Sequence, residues 1–158
     1  PTSTETPKTG GNVVSEQKYV TRAELMRFLV QSLDLKDTGT TPKFADVPIT
    51  HEYYEDIKIA SQHGIINVLP FENVGPDDPI NRWRYAAYLG RALNFNIEEN
   101  EEGTIKDIKH FAPGVQNIIK KLVRLDLMQL DENGNFNPYE EILSPLTPNP
   151  DLKNYIQK

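Results

Sequence analysis

The chain has 158 residues, of which 37% are hydrophobic and 25% are charged, a composition typical of globular proteins. Its 17 basic and 23 acidic residues give a net charge of −6, which argues against nucleic acid or an anionic membrane as a partner. The lack of cysteine excludes disulfides, thiol nucleophiles and thiolate metal sites, and no apolar run approaches the roughly 20 residues that span a bilayer.

Predicted helices follow one another along the chain, separated by turn-rich loops. Residues 1–18 are rich in Thr, Ser, Pro and Gly and have no apolar period, which indicates a flexible linker. The first helix is predicted over residues 21–35 and the second over residues 52–63, with Gly64 ending the second in the left-handed conformation. The side chains predicted to face the core from these helices are Leu25, Phe28, Leu29, Leu33, Tyr53, Ile57 and Ala60.

The second half of the chain is predicted to hold further helices. Three prolines and one glycine make residues 70–79 a loop, which leads to a helix over residues 82–93 with Trp83 on its apolar stripe. An acidic loop follows, and its glutamates are predicted to be solvated rather than to bind a cation; they are Glu98, Glu99, Glu101 and Glu102. Apolar residues between positions 115 and 125 predict another helix, and later prolines allow at most a short helix over residues 150–157.

The chain repeats itself with an offset of 62 residues. The paired positions are Gly64 and Asp126, Pro76 and Pro138, and Ile80 and Ile142. Repeats of this kind indicate stacked or symmetric units that bury one another's apolar faces. The sequence therefore predicts an all-α domain over residues 19–158, with a partial unit at 19–43, a whole unit at 44–97 and a degenerate unit at 104–158.

A short motif at the start of the first helix suggests a binding site. Thr21 and Glu24 form a capping box, in which the Thr21 hydroxyl accepts from the Glu24 amide and the Glu24 carboxylate reaches back to the Thr21 amide. Arg22 lies in the first turn, where the helix dipole disfavours a cation, and an anion bound by free amides and the guanidinium would explain it. Arg82 holds the same place after Asn81, a second predicted cap. The alternative is that both arginines only pair with surface carboxylates.

These segments carry a resemblance. The sequence VTRAEL at positions 20–25, followed by FADV, a helix, GIIN, a Pro/Asp loop and INRW, resembles the S-layer homology repeat of bacterial surface proteins over about residues 19–145. The resemblance implies a pseudo-threefold helical bundle with ordered connecting loops and grooves between its prongs. In that family the grooves bind secondary cell-wall polysaccharide, often through a ketal-pyruvate group. Arg22 would be a main ligand contact, with Thr21 and Glu24 shaping the helix end around it.

The later units depart from the family's motif. In the second unit Arg82 follows Asn81, but Trp83 fills a position that is small in the motif, and Val68 replaces a glycine of the GIIxG stretch. The Trp83 ring could stack on a sugar or pack in the core. The third unit has no arginine at residues 143–146. One good site, one altered site and one structural remnant are expected.

Enzymatic chemistry finds little support in the sequence, and no cofactor is expected. The three histidines are isolated, and no HExxH motif, nucleophile elbow or glycine-rich phosphate loop occurs. His51 with Glu52 and Glu55 fits an exposed helix start better than a metal site, and residues 131–135 fit a turn better than a calcium loop.

The resemblance thus implies a non-catalytic module that anchors an exported protein to the bacterial cell surface through an anionic cell-wall polysaccharide. The alternative is an assembly module that binds other surface-protein domains or chains.

Overall fold

The computed structural model of the protein describes residues 18–158, so the linker predicted at residues 1–18 lies outside this part except for Lys18. Within it there are four α-helices and two 3₁₀ helices, and its β-structure consists of isolated bridges only. The helices are α1 (Arg22–Leu33), α2 (Tyr54–Gln62), α3 (Arg82–Ala92) and α4 (Pro113–Arg124), and the 3₁₀ helices are Lys106–Ile108 and Pro150–Tyr155. The all-α prediction is confirmed. No helix in residues 18–158 combines the length and apolarity that a membrane crossing requires.

The helix ends follow local chemistry. Thr21 caps α1, with its Oγ1 accepting from the Glu24 amide at 3.1 Å, and Asp34 ends that helix with a φ of 53°. Gly64, at φ 75°, lies just beyond α2 as predicted. Pro113 occupies the first turn of α4, where its missing N–H leaves no bond unmade. The observed bounds of α1, α2 and α3 lie within two residues of the predicted ones.

One core joins the helices. Helix α1 packs on α2 and on the second 3₁₀ helix, and α4 packs on α3. The predicted apolar side chains of α1 are all buried, together with Ile57 and Ala60 of α2. On α2 the fully inward tyrosine is Tyr54 rather than Tyr53. Tyr53 is half-buried because it lies at the helix edge, where the Arg27 guanidinium covers its ring at 4.1 Å.

The three predicted units meet at one place, called here the unit junction. Its β-bridges pair Tyr19 with Leu143, Thr21 with Pro79, and Asn81 with Glu141. The Val20 amide donates to Ile142 at 2.7 Å, and the Ile80 amide donates to the Val20 carbonyl at 3.0 Å. Each unit is thus bridged to both others just before its motif helix or the remnant of one. This arrangement fits the expected pseudo-threefold bundle.

The acidic loop is more ordered than predicted. Glu99 accepts from Lys121 at 3.1 Å, and Glu101 makes a two-pronged ion pair with Arg124 at 2.7 and 3.1 Å. The Glu101 side chain is only 8% exposed, and its bond to Arg124 lowers its pKa. The prediction of four solvated glutamates is therefore wrong for Glu101, whereas Glu99 remains 57% exposed beside Lys121. Two of the loop's carboxylates hold it against the cationic side chains of α4.

Candidate functional site

A cavity of about 300 Å³ lies between the start of α1, the loop after α2, and α3. We call it the Arg22 cavity. Arg22 reaches it from α1, and α3 contributes two further arginines and a tyrosine. Its lining residues are Arg22, Ile66, Asn67, Val68, Val74, Trp83, Arg84, Ala87, Tyr88 and Arg91.

Protein acceptors hold the Arg22 guanidinium in place. Its Nε donates to the Tyr88 hydroxyl at 3.0 Å, and its Nη1 donates to the carbonyls of Val74 and Gly75 at 2.9 and 2.7 Å. Nη1 also lies 3.5 Å from the Asp78 carboxylate, and the side chain is only 15% exposed. These bonds use the Nε and Nη1 donors of the guanidinium's five N–H groups. Within residues 18–158, Nη2 is the nitrogen left for a ligand.

The amides at the helix start are not available to an anion. The Arg22 amide donates to the Asp78 carbonyl and the Ala23 amide donates to the Pro76 carbonyl, each at 2.9 Å. The Glu24 amide donates to the Thr21 hydroxyl. The predicted convergence of free amides is therefore wrong, because the loop over residues 70–79, which precedes α3, folds over the start of α1 and supplies backbone acceptors. Any anion in this cavity must be recognised mainly by side chains.

An aspartate holds the same loop in place through two hydrogen bonds, an arrangement called here the clamp. The Asp46 carboxylate accepts from the amides of Val74 and Gly75, both at 2.7 Å, and so aims their carbonyls at Arg22. Gly75 has a φ of 70°, and a Cβ there would lie 2.6 Å from Arg22 Nη1. Only glycine allows this approach of loop and guanidinium. The third unit repeats the clamp, since Asp107 accepts from the amides at positions 136 and 137 at 2.9 and 2.8 Å.

Sequence reasoning missed Arg84 and Arg91 as site residues. Both side chains nevertheless line the cavity. Their separation of seven residues, two helical turns, places them on one face of α3 together with Tyr88, so the signal was present in the sequence. Arg91 donates to the Ile65 carbonyl at 2.7 Å, and the Arg84 guanidinium lies 4.7 Å from the centre of the Trp83 ring.

Glu24 has a different role from the one predicted. Its two carboxylate oxygens accept from the Ser144 hydroxyl and the Leu146 amide, both at 2.8 Å, rather than from the Thr21 amide. The reciprocal half of the capping box is therefore wrong, because the third unit lies within reach and supplies two donors. Residues 143–146, the arginine-free remnant of the motif, attach the third unit to the first.

Arg82 occupies a second, more apolar cavity of about 240 Å³. Its Nε donates to the Phe136 carbonyl at 2.8 Å and its Nη2 to the Gln129 carbonyl at 2.6 Å. Burial lowers the pKa of Arg82 and raises the pKa of Tyr85, which also lines this cavity, to about 12. Asn81 caps α3 as predicted, since its side chain accepts from the Arg84 amide at 3.1 Å. Arg82 is the one basic residue in this lining.

The sequence left open whether Arg22 and Arg82 only pair with surface carboxylates and whether Trp83 packs in the core. Arg22 and Arg82 donate mainly to backbone carbonyls, so neither is simply one half of a surface ion pair. Trp83 is half-buried: its ring lies 5.3 Å from that of Phe111, and it also lines the Arg22 cavity.

His51 makes contacts with neighbouring residues rather than with a group of metal ligands. Its Nε2 lies 3.5 Å from the Asp77 carboxylate, and its Nδ1 accepts from the Tyr53 amide. No group of three possible metal ligands occurs in the described part of the chain.

Comparison with protein families gives a direct match. The model of the S-layer homology domain matches residues 43–82 and 104–142, which together make up half of the chain. The chain belongs to the S-layer homology domain family. Domains of this family are non-catalytic modules that anchor proteins at the cell surface, and they bind cell-wall polysaccharide in general. The division into three units, with a partial one at residues 19–43, stays a prediction.

Two curated proteins resemble this S-layer homology domain. An amylopullulanase of Thermoanaerobacterium thermosulfurigenes is 29% identical over 125 residues, and the exoglucanase XynX of Acetivibrio thermocellus is 26% identical over 125 residues. Each match covers 77% of the chain but only 7% and 11% of the respective relative. The chain thus corresponds to a small part of these proteins.

Proposed function

We propose that the Arg22 cavity binds an anionic sugar residue of a secondary cell-wall polysaccharide and thereby anchors an exported bacterial protein. The observation that carries this proposal is the composition of the lining, which holds three arginines and no carboxylate in a protein with a net charge of −6. Three guanidinium groups that share a cavity repel one another, and the Asp78 carboxylate, 3.5 Å from Arg22 Nη1, offsets the charge of only one of them. The local charge therefore favours a ligand with a carboxylate or another compact anion.

A pyruvylated sugar fits the remaining chemistry of the lining. A ketal-linked pyruvate carries a carboxylate and a methyl group on one carbon. The Nη2 of Arg22 can donate to the carboxylate, with Arg84 and Arg91 on the α3 side. The apolar wall of Ile66 and Val68 can receive the methyl group and the sugar's C–H bonds. Both halves of such a group thus find matching surfaces in one cavity.

Arg82, with Asn81 and Trp83 at the start of α3, is proposed as a second and weaker contact. Its cavity has one guanidinium and a lining dominated by apolar side chains. Partial burial also leaves less of that guanidinium open to a ligand. We expect Arg82→Ala to change glycan affinity less than Arg22→Ala does.

Calorimetric titration with purified pyruvylated cell-wall polysaccharide tests the proposal. Arg22→Ala and Arg91→Ala each remove a charged donor worth about 1.5–3 kcal/mol, so affinity should fall at least about tenfold. The exposed Arg91 keeps the test valid if Arg22→Ala unfolds the domain. Arg27→Ala removes the same charge from α1 outside the cavity and should leave affinity unchanged. Affinity should also fall as salt is raised.

The same polymer stripped of pyruvate supplies the decisive comparison. Equal affinity for both polymers, or wild-type affinity in Arg91→Ala and Arg22→Ala, would overturn the proposed recognition of the anion. A folded domain that binds neither polymer would overturn glycan anchoring through this chain.

A second candidate function, protein–protein assembly, is favoured by an apolar surface away from the Arg22 cavity. Ile49 and Phe71 are 78% and 70% exposed and line one shallow cavity of about 230 Å³. Phe71 has a φ of 69°, a conformation that bulky residues seldom adopt and that often marks functional positions. Sedimentation over a range of protein concentrations tests whether copies of the chain associate through this surface: association abolished by Phe71→Ser would support it, and a monomer at every concentration would refute self-assembly.

A further inference from the structure

A row of aromatic side chains starts at the rim of the Arg22 cavity and leads away from it. Trp83 lines the cavity, and its ring lies 5.3 Å from that of Phe111. Phe111 in turn lies 4.3 Å from His110 and 5.9 Å from Tyr139, measured between ring centres. These four residues are called here the aromatic belt. The belt is continuous with the proposed anion site because Trp83 belongs to both.

The far end of the belt is exposed yet fixed. Tyr139 is 59% exposed, but its hydroxyl is hydrogen-bonded to His110 Nε2 at 2.7 Å. The rings of His110, Phe111 and Tyr139 are tilted by only 31° to 35° from one another, so their faces run in similar directions. An exposed tyrosine with a fixed ring loses little conformational entropy when a ligand covers it.

Polar groups accompany the exposed ring. Tyr139 borders an open cavity of about 570 Å³ whose lining also includes Asn137 and Glu140. The faces of aromatic rings carry partial negative charge, which suits the weakly positive C–H bonds on one side of a pyranose ring. The Asn137 side-chain amide can donate hydrogen bonds to sugar hydroxyls or accept them, and the Glu140 carboxylate can accept them. Aromatic faces beside a few polar groups are a common composition for a ligand site.

We propose that the aromatic belt binds uncharged sugar residues of the same glycan chain whose anionic residue enters the Arg22 cavity. This inference extends the proposed function and makes the ligand an oligosaccharide rather than a single sugar. The ring-centre distances from Trp83 to Phe111 and from Phe111 to Tyr139, 5.3 and 5.9 Å, give the belt more length than one sugar ring covers. Recognition of the anion and recognition of the chain then rest on different side chains.

Glycan length and Tyr139 variants test the belt. Tyr139→Ala should weaken binding of the long polysaccharide between about two- and tenfold, the effect of one aromatic contact. It should leave binding of a one-residue pyruvylated fragment unchanged. Tyr139→Phe keeps the ring but loses the hydrogen bond to His110, so its affinity for the long polysaccharide should lie between those of the wild type and Tyr139→Ala, and its affinity for the fragment should be unchanged. Leu69→Ala, which removes an exposed apolar side chain outside the belt, is the control. Trp83 is the single tryptophan, so its fluorescence reports binding directly.

The outcomes separate this inference from the anion site. Unchanged affinity of Tyr139→Ala for the long polysaccharide, with Arg91→Ala weakened, overturns the belt and leaves the anion site standing. Binding that ignores pyruvate but falls in Tyr139→Ala supports the belt and overturns the anion site. A wild-type domain that binds no glycan of either length overturns both.

Discussion

Replacing Gly75 by alanine tests whether the loop geometry behind Arg22 is as tight as the structure indicates. The new Cβ would lie 2.6 Å from Arg22 Nη1 and 2.5 Å from an Asp78 carboxylate oxygen. Asp78 is 71% exposed and can move away, whereas Arg22 is 15% exposed and is bonded to the carbonyls of Val74 and Gly75. Relief of the clash therefore requires Arg22 to give up part of its bonding.

The expected loss of folding free energy in Gly75→Ala has two parts. Alanine at φ 70° costs about 1–2 kcal/mol, partly offset by the lower entropy of the unfolded chain. Displacing the guanidinium removes up to two charged hydrogen bonds, so we expect a further loss of about 2 kcal/mol or more. Gly134→Ala is the matched control, because Gly134 has a φ of 80° and a Cβ there meets nothing within 4 Å. That variant should show the conformational part alone.

Urea unfolding monitored by Trp83 fluorescence gives both free energies, and titration with pyruvylated polysaccharide gives the affinities. Gly75→Ala should be less stable than Gly134→Ala by about 2 kcal/mol. It should also bind the glycan at least about tenfold more weakly, since Arg22 is displaced. Equal destabilisation by the two substitutions would refute the argument that the loop backbone positions Arg22.

Two further predictions concern ion pairs and unit contacts. Glu101→Gln should lower the free energy of unfolding by about 1 kcal/mol at pH 7, because it weakens the bond to Arg124. The folded-state pKa of Glu101 is lowered, so this stabilisation is present above its ordinary pKa near 4.3 and is lost as pH falls through the folded value. Urea unfolding at pH 7 and at a series of lower pH values should show the difference shrink, and a difference that stays constant down to acid unfolding would contradict the assignment. Glu24→Gln should raise amide hydrogen exchange at Leu146, which loses a charged acceptor, and unchanged protection there would show that this bond does not hold the third unit.

The helices of this domain were largely predictable from the sequence, because local signals decide them. The Thr21 cap, the apolar spacing of α1 and the stop at Gly64 each depend on a few neighbouring residues, and each prediction was confirmed. The solvent exposure of the carboxylates in the acidic loop could not be predicted in this way. Whether Glu101 is solvated depends on Arg124, which lies 23 residues away and approaches only when α4 packs.

The site was predicted in part, for the same reason. The sequence pointed to Arg22 as a candidate, but it could not show that the loop carbonyls occupy its Nη1 or that the helix amides are already bonded. Glu24 illustrates the limit best. The local spacing predicted that its carboxylate would cap the helix. Its actual partners are Ser144 and Leu146, which come from the opposite end of the chain.

The unit junction changes how the repeats depend on one another. In a linear array each repeat touches only its neighbours, so an end repeat can fray while the others stay folded. Here the first unit contacts the third through Val20 and Ile142 as well as contacting the second, and the contacts close into a ring. A ring has no end from which to unravel. The third predicted unit, which has no arginine at residues 143–146, is still needed for the fold, because removing it would open the ring and expose the two units that it joins.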